Sequence, residues 1–264
     1  MKRTALFLML LTALGSAAGA TAADLESGAI YVHTARNGTT LTAGNKNGQT
    51  SALIPGTVFG ADGQVLNAPA GLAAALVLSN GNALYLPNGG RLALEEFTQE
   101  PITDTDRDRS FEPSRSNLRL NLTQGLLVIS GRNPVPTSTF TLTTPLAQIN
   151  CHAKSLVVQV DANSVTITML DGVAEVTTPG NQAHDTVQAG QTATISRQTL
   201  HDAYPLKLAT ITTDAKEHFG VFMASAHRIE SYTTFTGTRQ HFQVALRIPV
   251  DYTMQISADD PRFL

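Results

Sequence analysis

Strict alternation of apolar and polar residues is the feature that most limits what this chain can fold into. In "NLRLNLTQGLLVIS", residues 117–130, Leu118, Leu120 and Leu122 fall on one parity. Thr123-Gln124-Gly125 interrupts them, and Leu127 with Ile129 resumes the apolar side. In "SLVVQVDANSVTITMLDGVAEV", Leu156, Val158 and Val160 alternate up to Asp161-Ala162-Asn163-Ser164. Val165, Ile167 and Met169 alternate again up to Asp171-Gly172, and Val173 with Val176 follows. A period of two puts successive side chains on opposite faces of a strand, so each run predicts a strand with one buried face. The polar breaks at 123–125, 161–164 and 171–172 predict turns that join strand pairs.

Further turn signals recur at Asn37-Gly38, Asn47-Gly48, Asp62-Gly63, Asn80-Gly81 and Asn88-Gly89-Gly90. Many short strands at such spacing predict a sandwich or a short solenoid. No fixed-period repeat supports a long regular one. Residues 101–117 (PITDTDRDRSFEPSRSN) read as a loop, charged and poor in aliphatics.

The ends differ from the middle. Lys2 and Arg3, the apolar stretch Leu6 to Leu14 and the small residues ending in Ala20-Thr21-Ala22 have the form of a secretory leader, cut before Ala23. No cysteine stands at that point, so a lipoprotein is not expected. The apolar run Ala68 to Leu78 has 11 residues, too short for a membrane helix of about 20. The expectation is an exported mature chain with no transmembrane segment, in the periplasm or secreted.

Near the other end, "TTDAKEHFGVFMASAHRIES" carries Phe219, Phe222, Met223, Ala226 and Ile229 at helical spacing. Asp214, three residues before Glu217, resembles the start of a capping box and predicts a helix from Asp214 to Ser231. "HFQVALRIPVDYTMQIS" then keeps one apolar parity from Phe242 to Ile256, with Pro249 on the other. Proline cannot donate to a ladder, so an edge strand is expected, with the helix folded over its apolar face and its edge from Phe242 to Ile256 able to take a partner strand.

Composition narrows the function. The formal net charge is −3, and removing the two leader cations takes it to −5, with no basic patch for nucleic acid. Tryptophan is absent and aromatics make up 6%, which weakens a stacking platform for sugars or bases. One cysteine in an oxidising compartment cannot form an intrachain disulfide. Cys151 and His152 are neighbours on a strand and so point to opposite faces, unable to act as nucleophile and base. Continuing the parity of Leu156, Val158 and Val160 places His152 inward and Cys151 outward, unless the strand bends near Lys154.

Other candidates for chemistry fare no better. Asp104-Thr105-Asp106-Arg107-Asp108-Arg109 starts like a calcium loop. Arg109 stands where glycine should be and Arg115 where glutamate should be. The histidines at 33, 152, 184, 201, 218, 227 and 241 make no zinc spacing, and His218 and His227 fall on opposite helix faces. Glu95, Glu96 and Glu100 read as surface acids rather than a glycosidase pair. No catalytic, cofactor-binding or metal-binding residue is expected, and no cofactor.

One resemblance emerges from the order of the motifs. "LVLSNGNALYLPNGGRLALEEFTQEP" (76–101), "LNLTQGLLVI" (120–129), "FTLTTPLAQINCHAKSLVVQVD" (140–161) and "SVTITMLDGVAEV" (164–176) together resemble the FecR domain. The acidic Glu95-Glu96-Phe97-Thr98-Gln99-Glu100 is most like secreted FecR proteins of verrucomicrobial type. The best match spans 52–196. The resemblance implies a mainly β, twisted solenoid-like or sandwich domain over 23–205, after a leader at 1–22. A small α+β extension, a helix plus strands, would occupy 206–264.

Classical FecR proteins sense an outer-membrane transporter and control a sigma factor across the inner membrane. A leader here, in place of a cytoplasmic segment and membrane helix, departs from that plan. Where the family has a Gly-Thr step, this chain reads Asn150-Cys151-His152, with Asn150 expected to take the left-handed conformation of glycine. The expected function is a non-enzymatic binding or sensing module at the bacterial envelope, with a protein partner and no nucleic acid. The alternatives are an envelope polysaccharide-binding or carbohydrate-active protein and a purely structural envelope component. An exposed apolar strand edge would favour protein binding, and ordered acid pairs along one face would favour the enzyme.

Overall fold

The computed structural model describes residues 25–35, 41–45, 47–61, 63–102, 110–180, 184–198, 200, 206–236 and 243–246. The leader, the acidic-basic stretch at 104–109 and the strand beyond residue 246 lie outside them, as do His201 and His241. In chain order the strands are β1 (Glu26–Ser27), β2 (Ala29–Ala35), β3 (Thr42–Gly44), β4 (Thr50–Ala52), β5 (Val58–Gly60) and β6 (Gln64–Ala68). β7 (Ala74–Leu78), β8 (Ala83–Leu86), β9 (Gly90–Gln99), β10 (Ser116–Ser130), β11 (Thr139–Thr143) and β12 (Gln148–Val160) follow. Next come β13 (Ser164–Thr177), β14 (His184–Gln188), β15 (Gln191–Ser196), β16 (Leu208–Thr210), α1 (Thr213–Tyr232), β17 (Thr233–Thr236) and β18 (Gln243–Leu246). The first sixteen strands form one hydrogen-bonded network, and β17 and β18 pair separately. The fold is mainly β with a single described helix.

The long strands make the fold by bending. The first half of β10 pairs with β9 and, in parallel, with β11; its second half pairs with β8 and β12. Between the halves the register slips at Leu122/Gln124, and Gly125 takes φ +102°. A Cβ on Gly125 would lie 2.8 Å from the Gly89 carbonyl oxygen, so only glycine fits. The segment 123–125 is therefore not a turn between strands but a bulge within one, which adds a residue and reverses parity. That is why Leu118, Leu120 and Leu122 and then Leu127 and Ile129 are all buried in one core.

β12 and β13 repeat the device together. Lys154 is an extra residue on β12 between the pairs Ala153–Gly172 and Ser155–Asp171. Leu170 is extra on β13 before Leu156 meets Met169. The expected turn at Asp171-Gly172 is again a bend inside a continuous strand, with Gly172 at φ +103°. The turn at 161–164 is present, closed by Asp161 N–H donating to the Ser164 carbonyl at 2.9 Å. The parity shift at Lys154 corrects the orientation of Cys151, which points inward at 4% exposure while His152 is exposed. Asn150 is ordinary strand, and Thr137 alone among the described non-glycine residues has a positive φ.

The helix covers a second face. Its N-cap is Thr212, whose hydroxyl accepts from Ala215 N–H at 3.2 Å; Asp214 sits in the first turn rather than capping. The stripe Phe219, Phe222, Met223, Ala226 and Ile229 packs on the outer side of the sheet against Ala75, Ala83, Tyr85, Val128 and Val157. So β7 (AALVL) is buried at every position, with the core on one face and the helix on the other. That sandwiching explains the apolar run Ala68 to Leu78, and no described helix is long and apolar enough to cross a membrane. Residues 116–117, expected in a loop, begin β10.

Candidate functional site

Three features outside the core carry unsatisfied chemistry or exposed apolar surface. The first is the hairpin-like arm from β4 to β5. β4 pairs only with β3, and β5 only with β2, among the described residues. Hydrogen bonds link Val32 N–H to the Thr57 carbonyl and Ala61 N–H to the Gly28 carbonyl. Alternation along an antiparallel ladder then turns the backbone groups of Val58 and Gly60 away from β2. Val58 is 39% exposed and Ile54, at the tip of the arm, 63%. Pro55-Gly56 forces the turn between them, with Gly56 at φ +88°. An unpaired edge with apolar side chains in water is the kind of strand that proteins ordinarily blunt with charge.

The second feature is a groove of about 320 Å³ between α1 and the double bulge. Ser130 of β10, Ser155 of β12 and Asp171 of β13 lie side by side in register across its floor. Lys154 enters because it is the extra residue of the bulge, and Met223 and His227 of α1 form the wall. The wall is anchored by Arg132, whose Nε donates to Glu230 Oε1 at 2.6 Å in a largely buried ion pair. His227 Nδ1 lies 3.6 Å from the other oxygen of Glu230.

The third is a buried polar chain under the β7–β8 turn. Asn80 Nδ2 donates to Glu112 Oε1 at 3.2 Å and to Ser116 Oγ at 3.1 Å. Ser79 Oγ donates to Gln99 Oε1 at 2.6 Å, and Gln99 Nε2 donates to Ser114 Oγ at 2.9 Å. Burial pushes the Glu112 carboxyl up to about 7, against the pull of nearby Ser138, the Val135 amide, Ser116 and the Arg132 charge. Its Oε2 makes no hydrogen bond of good geometry. The network holds the turn and the 110–116 loop together.

The residues weighed on sequence grounds are scattered. Burial raises the Cys151 thiol well above its ordinary range, which suppresses the thiolate a nucleophile needs. Glu95 and Glu96 each lie 3.6 Å from Arg119, and Glu100 3.1 Å from Arg115. They are ion-paired acids on one strand and its end, not two carboxylates facing across a cleft. Among the described residues no three His, Cys, Asp or Glu side chains come together as a metal cage. The sequence reading did not single out Ile54, Val58, Glu112 or Arg132, and it weighed Lys154, Asp171, Met223 and His227 without bringing them together. The one signal for the groove was Lys154, which breaks the apolar alternation where the strand bends.

No family model matches the chain, and no curated protein matches it. Two crystal structures of a candidate anti-sigma factor from Parabacteroides distasonis ATCC 8503 are similar at 11% identity and a TM-score of 0.40. The match covers 60% of this chain and 63% and 64% of those chains, under two thirds of their length. A likeness that weak carries no part of the argument that follows.

Proposed function

We propose that this is an exported, non-enzymatic FecR-like module of the bacterial envelope that docks a protein partner along β5. The observation that carries this reading is the outer edge of β5, with Val58 and Ile54 exposed beside backbone groups that no described strand pairs. Such an edge accepts an extended segment of another chain by strand addition. Main-chain hydrogen bonds then give affinity, and alternate side chains give selectivity. The order of the FecR-like motifs and the leader-like N-terminus support the envelope setting. Glu95 and Glu96 both lie 3.6 Å from Arg119, an arrangement of ion-paired surface acids rather than two carboxylates across a cleft.

The test is a photo-reactive residue at Ile54 in the producing bacterium, with and without Val58→Lys. A discrete adduct that the lysine variant abolishes, while the protein stays folded and exported, supports strand addition. Adducts unaffected by Val58→Lys, or none at any growth condition, overturn it.

A further inference from the structure

The groove beneath α1 is separate from the β5 edge, and its chemistry is specific. Ser130 is 3% exposed yet lines the cavity, and its hydroxyl has no partner among the described residues. Ser155, Lys154 and Asp171 line it too, and none forms a side-chain hydrogen bond or ion pair among the described residues. A cation and an anion thus share one cavity without joining each other. Met223 adds an apolar wall beside them. Convergent polar groups in a partly apolar hollow are the usual make-up of a small-molecule site, and about 320 Å³ is at the small end of such sites.

We infer that the groove binds a small zwitterion, a free amino acid or a short peptide. The ligand carboxylate would meet the Lys154 ammonium, its ammonium would meet Asp171, and the two serine hydroxyls would complete the hydrogen bonding. A zwitterion answers both charges at once, whereas a ligand of one charge uses only Lys154 or only Asp171. A neutral sugar engages neither charge. The bulge is what permits the site. Without the extra residue, the neighbours Ala153 and Ser155 would fill the ladder, and no lysine would enter from β12. The floor is built from three paired strands and the wall is pinned by Arg132 and Glu230, so the backbone that carries these groups is set before a ligand arrives.

Calorimetric titration of the mature protein with a panel of L-amino acids and dipeptides tests this, together with N-acetylated and C-amidated forms of the tightest probe. Free amino acids and dipeptides form separate arms, so the two sources are told apart. The expected result is saturable binding of a zwitterion that amidation weakens about tenfold or more. Lys154→Met should remove the sensitivity to amidation, and Asp171→Asn the sensitivity to acetylation. Asp171 is exposed, so its variant keeps the fold, and thermal melts verify both. No saturable binding, binding indifferent to both substitutions, or sensitivity to only one blocking group each overturn the proposal. None of these outcomes bears on whether β5 docks a partner, since neither substitution touches that edge.

Discussion

Glu112 makes an unusual demand on the pH dependence of stability. Its carboxyl titrates at about 7 in the folded protein, raised from 4.5 chiefly by burial. A group that holds its proton more tightly when folded favours the folded state most at low pH. Its contribution is complete below 4.5, falls as pH rises, and is lost once pH passes about 7. A difference of 2.5 pKa units, from 4.5 to about 7, corresponds to roughly 3 kcal/mol at 1.36 kcal/mol per unit. Against a typical total of about 5–15 kcal/mol, that is a large share. Glu112→Gln keeps the shape and cannot ionise; it gives up one acceptor oxygen, a loss that is the same at every pH. Urea unfolding of both proteins at steps from pH 4 to 8 isolates the effect, because every other carboxylate is common to the two. The wild type should lose about 3 kcal/mol relative to the variant across that range. Parallel curves, or a wild type that gains on the variant as pH rises, would refute the assignment of a buried, proton-holding Glu112.

Val158→Asp should abolish soluble protein, because a charge at a fully buried position costs several kcal/mol, while Gln159→Asp on the wet face should be mild. Fractionation of expressed protein checks this, and equal loss from both would show the parity to be wrong. Cys151→Ser should cost at most ~1–2 kcal/mol in thermal unfolding, since the thiol is a small buried group and its contact with the Ile149 carbonyl, at 3.7 Å, is weak. A stable disulfide dimer on non-reducing electrophoresis would contradict the buried thiol. Arg132→Met should destabilise by about 3–5 kcal/mol by stranding the buried Glu230 carboxylate, and Arg132→Met with Glu230→Leu should recover most of it. A double variant no better than the single would show that the pair does not anchor α1.

Much of the fold was legible because period-two patterning is a local signal. Leu118, Leu120, Leu122, Leu156, Val158, Val160, Val165, Ile167 and Met169 are all buried. The helical stripe from Phe219 to Ile229 likewise packs where an amphipathic helix must, on apolar surface. Bulges are harder to read. Thr123-Gln124-Gly125 and Asp171-Gly172 have turn composition, yet whether the chain reverses or bends there depends on partner strands that arrive from elsewhere. Cys151 went to the wrong face for the same reason, one extra residue at Lys154. The helix packs on β7 and β8, where the small residues Ala75 and Ala83 let it sit close, and the strand expected from Phe242 lies largely outside the described residues. Beyond the break at Lys154 the groove was hidden, because it joins residues from four elements. The β5 edge was equally hidden, since exposure of Ile54 and Val58 depends on which strands fail to cover them.

The central claim is that the outer edge of β5 is open and serves as the seat for a partner strand. Amide hydrogen exchange at Val58 and Gly60 tests it most directly, with the protein alone and with the partner recovered through the Ile54 adduct. Fast exchange in the free protein, slowed at both positions on binding, is the predicted result. Slow exchange already present in the free protein, or rates unchanged by the partner, would contradict the claim.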